Sequence, residues 1–169
     1  MSCLSWNCRG LGNAATGKEL REFAKSATPT VSCVLQTQVH KSQVEGLKKT
    51  LGYDNAFAVS SNGRSGGLGI FWNNNISVSL LPYSQYHIDA IVTKGDTDPW
   101  RLTCVYGEAQ LSERHKTWTC SSLSGHHLLC LGFVLVISTK FYIARNKVGS
   151  KREVQTRLPR SERWPMCAA

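Results

Sequence analysis

The hydrophobic period of this chain changes part-way along, and the change restricts what it can fold into. CLSWNC (3–8) reads as a short strand that leaves through Gly10 and Gly12 into a turn. Asn13 or Thr16 can then cap a helix in which Leu20, Phe23, Ala24 and Ala27 fall at i, i+3, i+4 and i+7. Pro29 stops that helix, and VSCVLQT (31–37) reads as a second, buried strand. Val44, Leu47 and Leu51 predict a second amphipathic helix ending before Gly52. After that the chain turns to strands: NAFAVS, GGLGIFW, ISVSLL, HIDAIVT and WRLTCVYG, with SNGRSGG (61–67) as a hairpin connection. A short helix is expected after Ser112. A βαβα opening followed by a run of strands fits an α/β layered fold with mixed or antiparallel sheets.

Length and charge narrow the function classes. The 169 residues suffice for one domain with a real core. The net charge of +9 is unevenly spread. Residues 1–139 carry twelve Lys/Arg against nine Asp/Glu, whereas residues 140–169 carry eight against Glu153 and Glu162. The excess therefore belongs mainly to the last thirty residues, and says little about the body of the protein. Seven scattered cysteines with no CxxC pair point to free thiols in a reducing compartment, not to a zinc site or disulfide framework. MSCLSWNCRG has no signal-peptide pattern, and the apolar run at 128–137 is about half the length a spanning helix needs. An intracellular protein, nuclear or cytoplasmic, with no transmembrane helix is expected.

Local motifs show no active site by themselves. GRSGGLG (63–69) is glycine-rich, but no GK[ST] or helix follows, so it reads as a β-turn and not a phosphate cradle. His126 and His127 are adjacent, a poor metal geometry, and His40, His87 and His115 each stand alone.

Longer phrases carry more. SWNCRGLGN (5–13), LGYDNAFAVSSNGRSGGLGIFWNN (51–74), LPYSQYHIDAIV (81–92) and DPWRLTCVYGEAQLSERHKTW (98–118) together resemble the endonuclease/exonuclease/phosphatase (DNase I-like) superfamily. In particular they are similar to the apurinic-type endonuclease domain of plant LINE (non-LTR) retrotransposons. The resemblance covers most of residues 1–119 in the family's order. It implies the N-terminal part of a two-sheet α/β sandwich with outer helices, DNA as partner and Mg²⁺ as cofactor. Phosphodiester hydrolysis needs neutralised non-bridging oxygens, an activated water and a stabilised leaving oxygen. A Mg²⁺ held by carboxylates supplies the first and last, and a His–Asp pair handles the water.

Carried over by position, the resemblance makes Asn7 and Tyr106 the retained catalytic residues, although both read equally as ordinary turn and strand-end residues. Gln36, in VLQTQ, stands where the family has its metal-binding Glu. Its carboxamide keeps the shape and loses the charge that attracts a hard cation, so weak or absent Mg²⁺ binding is expected. The family's S-D-H and G-D-F-N segments are absent.

The second absence has an explanation in codons. LLCLG (128–132) matches the strand that leads into G-D-F-N, but FVLVISTKFY (133–142) follows. One permitted coding of those ten residues is TTT GTG TTG GTG ATT TCA ACG AAG TTT TAT. Read two bases later, it gives C-V-G-D-F-N-E-V-L, the missing segment. A frame change between about residue 119 and residue 133 is therefore expected. It divides the chain into a partial domain, 1–132, and a non-homologous basic tail, 133–169, contributing at most one incidental strand at 128–137. An unpaired sheet and a marginally stable protein are expected to follow. Three functions are compatible with this reading: an inactive endonuclease relic, a nonspecific nucleic-acid-binding fragment acting through its basic tail, and a weakly active Mg²⁺-dependent phosphoesterase.

Overall fold

A computed structural model describes residues 2–63 and 65–107, with the strand backbones of 134–136, 141–144 and 152–154. The chain opens with β1 (Cys3–Asn7), α1 (Ala14–Ala27) and β2 (Val31–Leu35). Two short helices follow, α2 (Lys41–Gly46) and α3 (Lys48–Leu51). Next come β3 (Asn55–Asn62), β4 (Ser65–Trp72), β5 (Ser77–Leu80), β6 (His87–Thr93) and β7 (Trp100–Val105). The last described elements are β8 (Val134–Val136), β9 (Phe141–Ala144) and β10 (Arg152–Val154).

These strands form two sheets. One has the order β10-β9-β1-β2-β4-β3, the other β5-β6-β7-β8. β1 and β2 are parallel, with Cys3 opposite Val31 and Asn7 opposite Leu35, so both carboxyl ends lie at one edge of the sheet. β4 runs antiparallel to β2, and β3 and β4 form the hairpin expected at 61–67. Side-chain alternation along the strands explains the layering. Cys33, Leu35, Leu68 and Ile70 face the second sheet and pack with Ile88, Val92, Leu102 and Cys104. Trp6, Val34 and Phe71 face the other way and pack with Leu20, Ala24, Val44 and Leu51 of the helices. The first sheet is thus buried on both faces, between helices and a second sheet. Among the described residues, no helix is long and apolar enough to cross a membrane.

Local chemistry accounts for the element ends. Asn13 is the cap of α1, its Oδ1 accepting the Ala15 N–H at 2.9 Å. Thr28 turns left-handed after the helix and donates its N–H to the Ala24 carbonyl, immediately before Pro29. The helix expected over Val44–Leu51 is instead two, divided at Leu47. Gly46 sits at the break, where its low helix propensity weakens a continuous turn. Cys3, Cys8, Cys33 and Cys104 are free and buried.

The tail departs from expectation. In place of at most one incidental strand at 128–137, three short strands are present. β8 pairs with β7, while β9 pairs in parallel with β1 and carries β10. The edges of β1 and β7 therefore do not stand unpaired. Open edges present rows of unmet N–H and C=O groups, and an apolar, β-branched or aromatic segment such as Phe141–Ala144 satisfies them in any register that fits. The helix expected after Ser112, LLCLG, His115, His126 and His127 all lie outside the described residues.

Candidate active site

The residues singled out in the sequence meet at the end of the sandwich where β1 and β2 finish. Asn7 is the last residue of β1, and Gln36 follows directly on β2. Beyond the strands the two loops stay zipped together. Cys8 donates its N–H to the Leu35 carbonyl at 3.0 Å, Gly10 to Gln36 at 2.9 Å and Leu11 to Thr37 at 2.7 Å. The second loop is also tied to β4, with Thr37 N–H on the Gly67 carbonyl at 3.1 Å and Gln38 N–H on Gly66 at 3.2 Å. This over-determined ladder holds strained backbone. Arg9, Gln36 and Gln38 have φ of 50°, 57° and 55°, in the left-handed region that non-glycine residues rarely occupy. Such strain persists only where surrounding bonds enforce it, and it concentrates at functional sites.

Tyr106 comes from the other sheet. Its N–H donates to the Tyr86 carbonyl at 2.7 Å, and its ring is buried in the inter-sheet core. Gly66 connects it to the loops: a Cβ there would lie 3.7 Å from the Tyr106 ring, while the Gly66 carbonyl accepts from Gln38. The structure therefore sets Asn7 opposite Leu35, with Gln36 the next residue along the chain, and brings Tyr106 to the same end through Gly66.

Three residues at this end carried no motif of their own. Gln38 places its Oε1 over Gly10, within 3.1 Å of where a Cβ would sit. Thr37 is fully buried, and its Oγ1 has no hydrogen-bond partner among the described residues. Gly67, at φ +84°, admits Thr37, because a Cβ there would come far inside contact distance of Oγ1. Arg9 is exposed beside Asn7, whose Oδ1 accepts the Arg9 backbone N–H at 3.2 Å. The signal available in the sequence was the alternation Q-T-Q immediately after an apolar strand.

The two described histidines, solitary in sequence, have partners. His40 caps α2 and bonds Ser42 Oγ at 2.9 Å through Nδ1. His87 Nδ1 bonds Ser84 Oγ at 2.8 Å. Burial lowers the His87 pKa, against the opposing pull of Asp89 and a backbone hydrogen bond at Pro82. Asp89 is not available as a partner base. It is buried on β6, held by the Arg101 Nε at 3.0 Å to both oxygens and by Thr103 Oγ1 at 3.0 Å. Cys8 beside Asn7 is no nucleophile either. Burial pushes its thiol up to about 12, and Sγ donates to the Leu35 carbonyl at 3.1 Å.

A Mg²⁺ site does not fit these residues. A hard cation requires carboxylate or comparable oxygen ligands. Asn7 and Gln36 offer neutral carboxamides, and no Asp or Glu occurs in 7–13, 36–40, 61–63, 65–67, 84–86 or 106–107. Among the described residues, no group of three or more His, Cys, Asp and Glu could hold a metal ion.

Two sheets face to face, helices outside one of them, and loops converging at the carboxyl ends of β1 and β2 define the DNase I-like α/β fold. Among solved structures, the AP endonuclease LMAP from Leishmania major shares it, with a TM-score of 0.52 and 16% sequence identity over 84% of this chain. Truncated Caenorhabditis elegans TDP2 matches with a TM-score of 0.48 and 15% identity over 72% of this chain. The 3'-5' exonuclease NExo from Neisseria meningitidis matches with a TM-score of 0.45 and 12% identity over 85% of it. The chain spans about half the length of these structures, 53%, 54% and 56% respectively. No protein-family profile matches the chain. No curated protein matches it.

Proposed function

We propose that the chain is a relic of a retrotransposon-derived, metal-dependent DNA endonuclease and is catalytically inactive. One observation carries the reading: Gln36 follows β2 directly, next to the Leu35 that pairs with Asn7, where hydrolysis of a phosphodiester calls for a metal-binding carboxylate. The fold supports the ancestry, and the phrases shared with plant LINE endonucleases support its source. Without the carboxylate, no described residue at this end holds a metal ion to neutralise the charge that develops on the phosphate, and the described His87 and Asp89 do not form a base pair for water. The basic tail, 133–169, is on this reading the catalytic strand and its sequel translated out of frame.

A supercoiled-plasmid nicking assay with Mg²⁺, with Mn²⁺ and with chelator tests the proposal. No nicking above a boiled control is expected in any arm. Divalent-dependent nicking by purified protein would establish the weakly active phosphoesterase instead. Sequencing the transcript tests the frame change, which requires shifted G-D-F-N codons beneath residues 133–142.

A further inference from the structure

Three cysteines that stand far apart in the sequence meet between the sheets. Cys3 on β1, Cys33 on β2 and Cys104 on β7 all belong to the inter-sheet core, and each is at most 1% exposed. Cys104 Sγ donates to Cys33 Sγ at 3.0 Å, and Cys3 Sγ lies 3.8 Å from Cys33 Sγ. A buried thiol packs as a small hydrophobe and bonds weakly, so its distinctive chemistry is oxidation.

Geometry selects one pair. Cys33 is opposite Ser5, so Cys3 is its diagonal neighbour, two residues back along β1. Strand spacing and rise set such Cα atoms about 8 Å apart, beyond the roughly 7 Å that a disulfide spans. Cys33 and Cys104 instead face each other from opposite sheets. Cα atoms of β2 and β7 come within 8 Å of each other, inside the roughly 10 Å usual for stacked sheets. The Cys33 and Cys104 sulfurs need to close by only about 1 Å to reach the ~2.0 Å of a disulfide bond.

We propose that Cys33 and Cys104 form a reversible disulfide that bolts the two sheets together when the chain meets an oxidising pool of small disulfides such as oxidised glutathione. One of the two thiols loses its proton and, as thiolate, attacks a sulfur of the small disulfide, releasing one small thiolate and leaving a mixed disulfide. The second protein thiolate then displaces the other small thiolate and closes the Cys33–Cys104 bond. Two protein thiols are oxidised, the small disulfide is reduced to two thiols, and these take up the two protons. Burial, with the Cys104 thiol beside it, pushes the Cys33 pKa well above its usual value, so thiolate is scarce in the closed sandwich. Attack therefore requires the sheets to part, and the closed sandwich then hides the bond from reductants. The cross-link joins residues 71 apart, which removes much of the freedom of the unfolded chain. The pair is set by the core and does not depend on the endonuclease ancestry.

For the test, the purified full chain is incubated with excess oxidised glutathione, with and without urea below the unfolding midpoint. It is then alkylated and peptide-mapped without reduction. A peptide pair joined through Cys33 and Cys104 is expected, forming over hours in buffer and faster in urea. Oxidised protein should melt about 5–15 °C above the same protein held in a phosphine reductant. Cys3→Ala should keep both the link and the shift, and Cys104→Ala should lose both. No Cys33–Cys104 peptide with or without urea overturns the proposal, as does either cysteine joined mainly to any other. An oxidised melt no higher than the reduced one, with the link present, refutes the bolt. If Cys104→Ala does not fold, the wild-type comparison between oxidant and reductant decides.

Discussion

Thr37 offers the most direct test of how the site is built. It is fully buried, its Oγ1 has no partner among the described residues, and it sits against Gly67, where no Cβ fits. Burying an unpartnered hydroxyl costs about 1–3 kcal/mol on mutational scales. Thr37→Val replaces that oxygen with a methyl of nearly the same shape and adds apolar burial of about 0.8 kcal/mol. The larger methyl presses on Gly67, and tight packing of this kind takes back roughly 1 kcal/mol. The net expectation is stabilisation by about 1–2 kcal/mol. In a chain of this size that raises Tm by about 2–8 °C. Urea unfolding followed by circular dichroism gives the free energy, and differential scanning gives Tm. Destabilisation by more than about 1 kcal/mol, with native circular dichroism retained, would refute the reasoning. It would mean that Oγ1 makes a hydrogen bond worth keeping. Stabilisation would place Thr37 among residues whose identity the fold alone does not demand.

Two further outcomes follow from burial. His87 has its pKa lowered by burial, so the unfolded chain takes up a proton near pH 6.5 while the folded chain takes it up only at lower pH. Its contribution is therefore complete above the unfolded pKa and is lost as pH falls below it. His87→Gln should flatten the decline in stability between about pH 7 and pH 5, and an unchanged pH profile would remove His87 from the account. Cys3, Cys8, Cys33 and Cys104 are buried, and burial raises the pKa of Cys8 to about 12 and that of Cys33 well above its usual value. Native protein treated with a maleimide near neutral pH should leave all four unmodified, whereas denatured protein should label them. Peptide mapping that found any of the four labelled within minutes would contradict the packing.

Much of the fold was legible. Period-2 and period-3.6 patterns located every described strand through β7 and the first helix, because burial on a defined face leaves a local imprint on sequence. SNGRSGG was equally visible as a hairpin, since turn chemistry is written in the turn itself, while the cap of the first helix was narrowed to Asn13 or Thr16 and the structure takes Asn13. The division of α2 from α3 was missed because Val44, Leu47 and Leu51 keep helical spacing across Gly46. The tail strands were missed for a different reason. A segment such as FYIA pairs with an open edge wherever one is offered, and nothing local announces which edge that is.

That Asn7 and Gln36 lie late in two short strands was set by the sequence alone, which reads the strands as 3–8 and 31–37. So was the replacement of a carboxylate by a carboxamide, which follows from one letter at position 36. Tertiary structure alone decided that β1 and β2 are parallel neighbours, and so that Asn7 and Gln36 come to the same end of the sheet. It also decided that Tyr106 reaches them through Gly66, that Thr37 is an orphan against Gly67, and that Cys104 Sγ on one sheet lies 3.0 Å from Cys33 Sγ on the other. All of these join residues far apart in the chain, through the stacking of sheets. Periodicity records which face a residue turns inward, but not which residue waits on the other side.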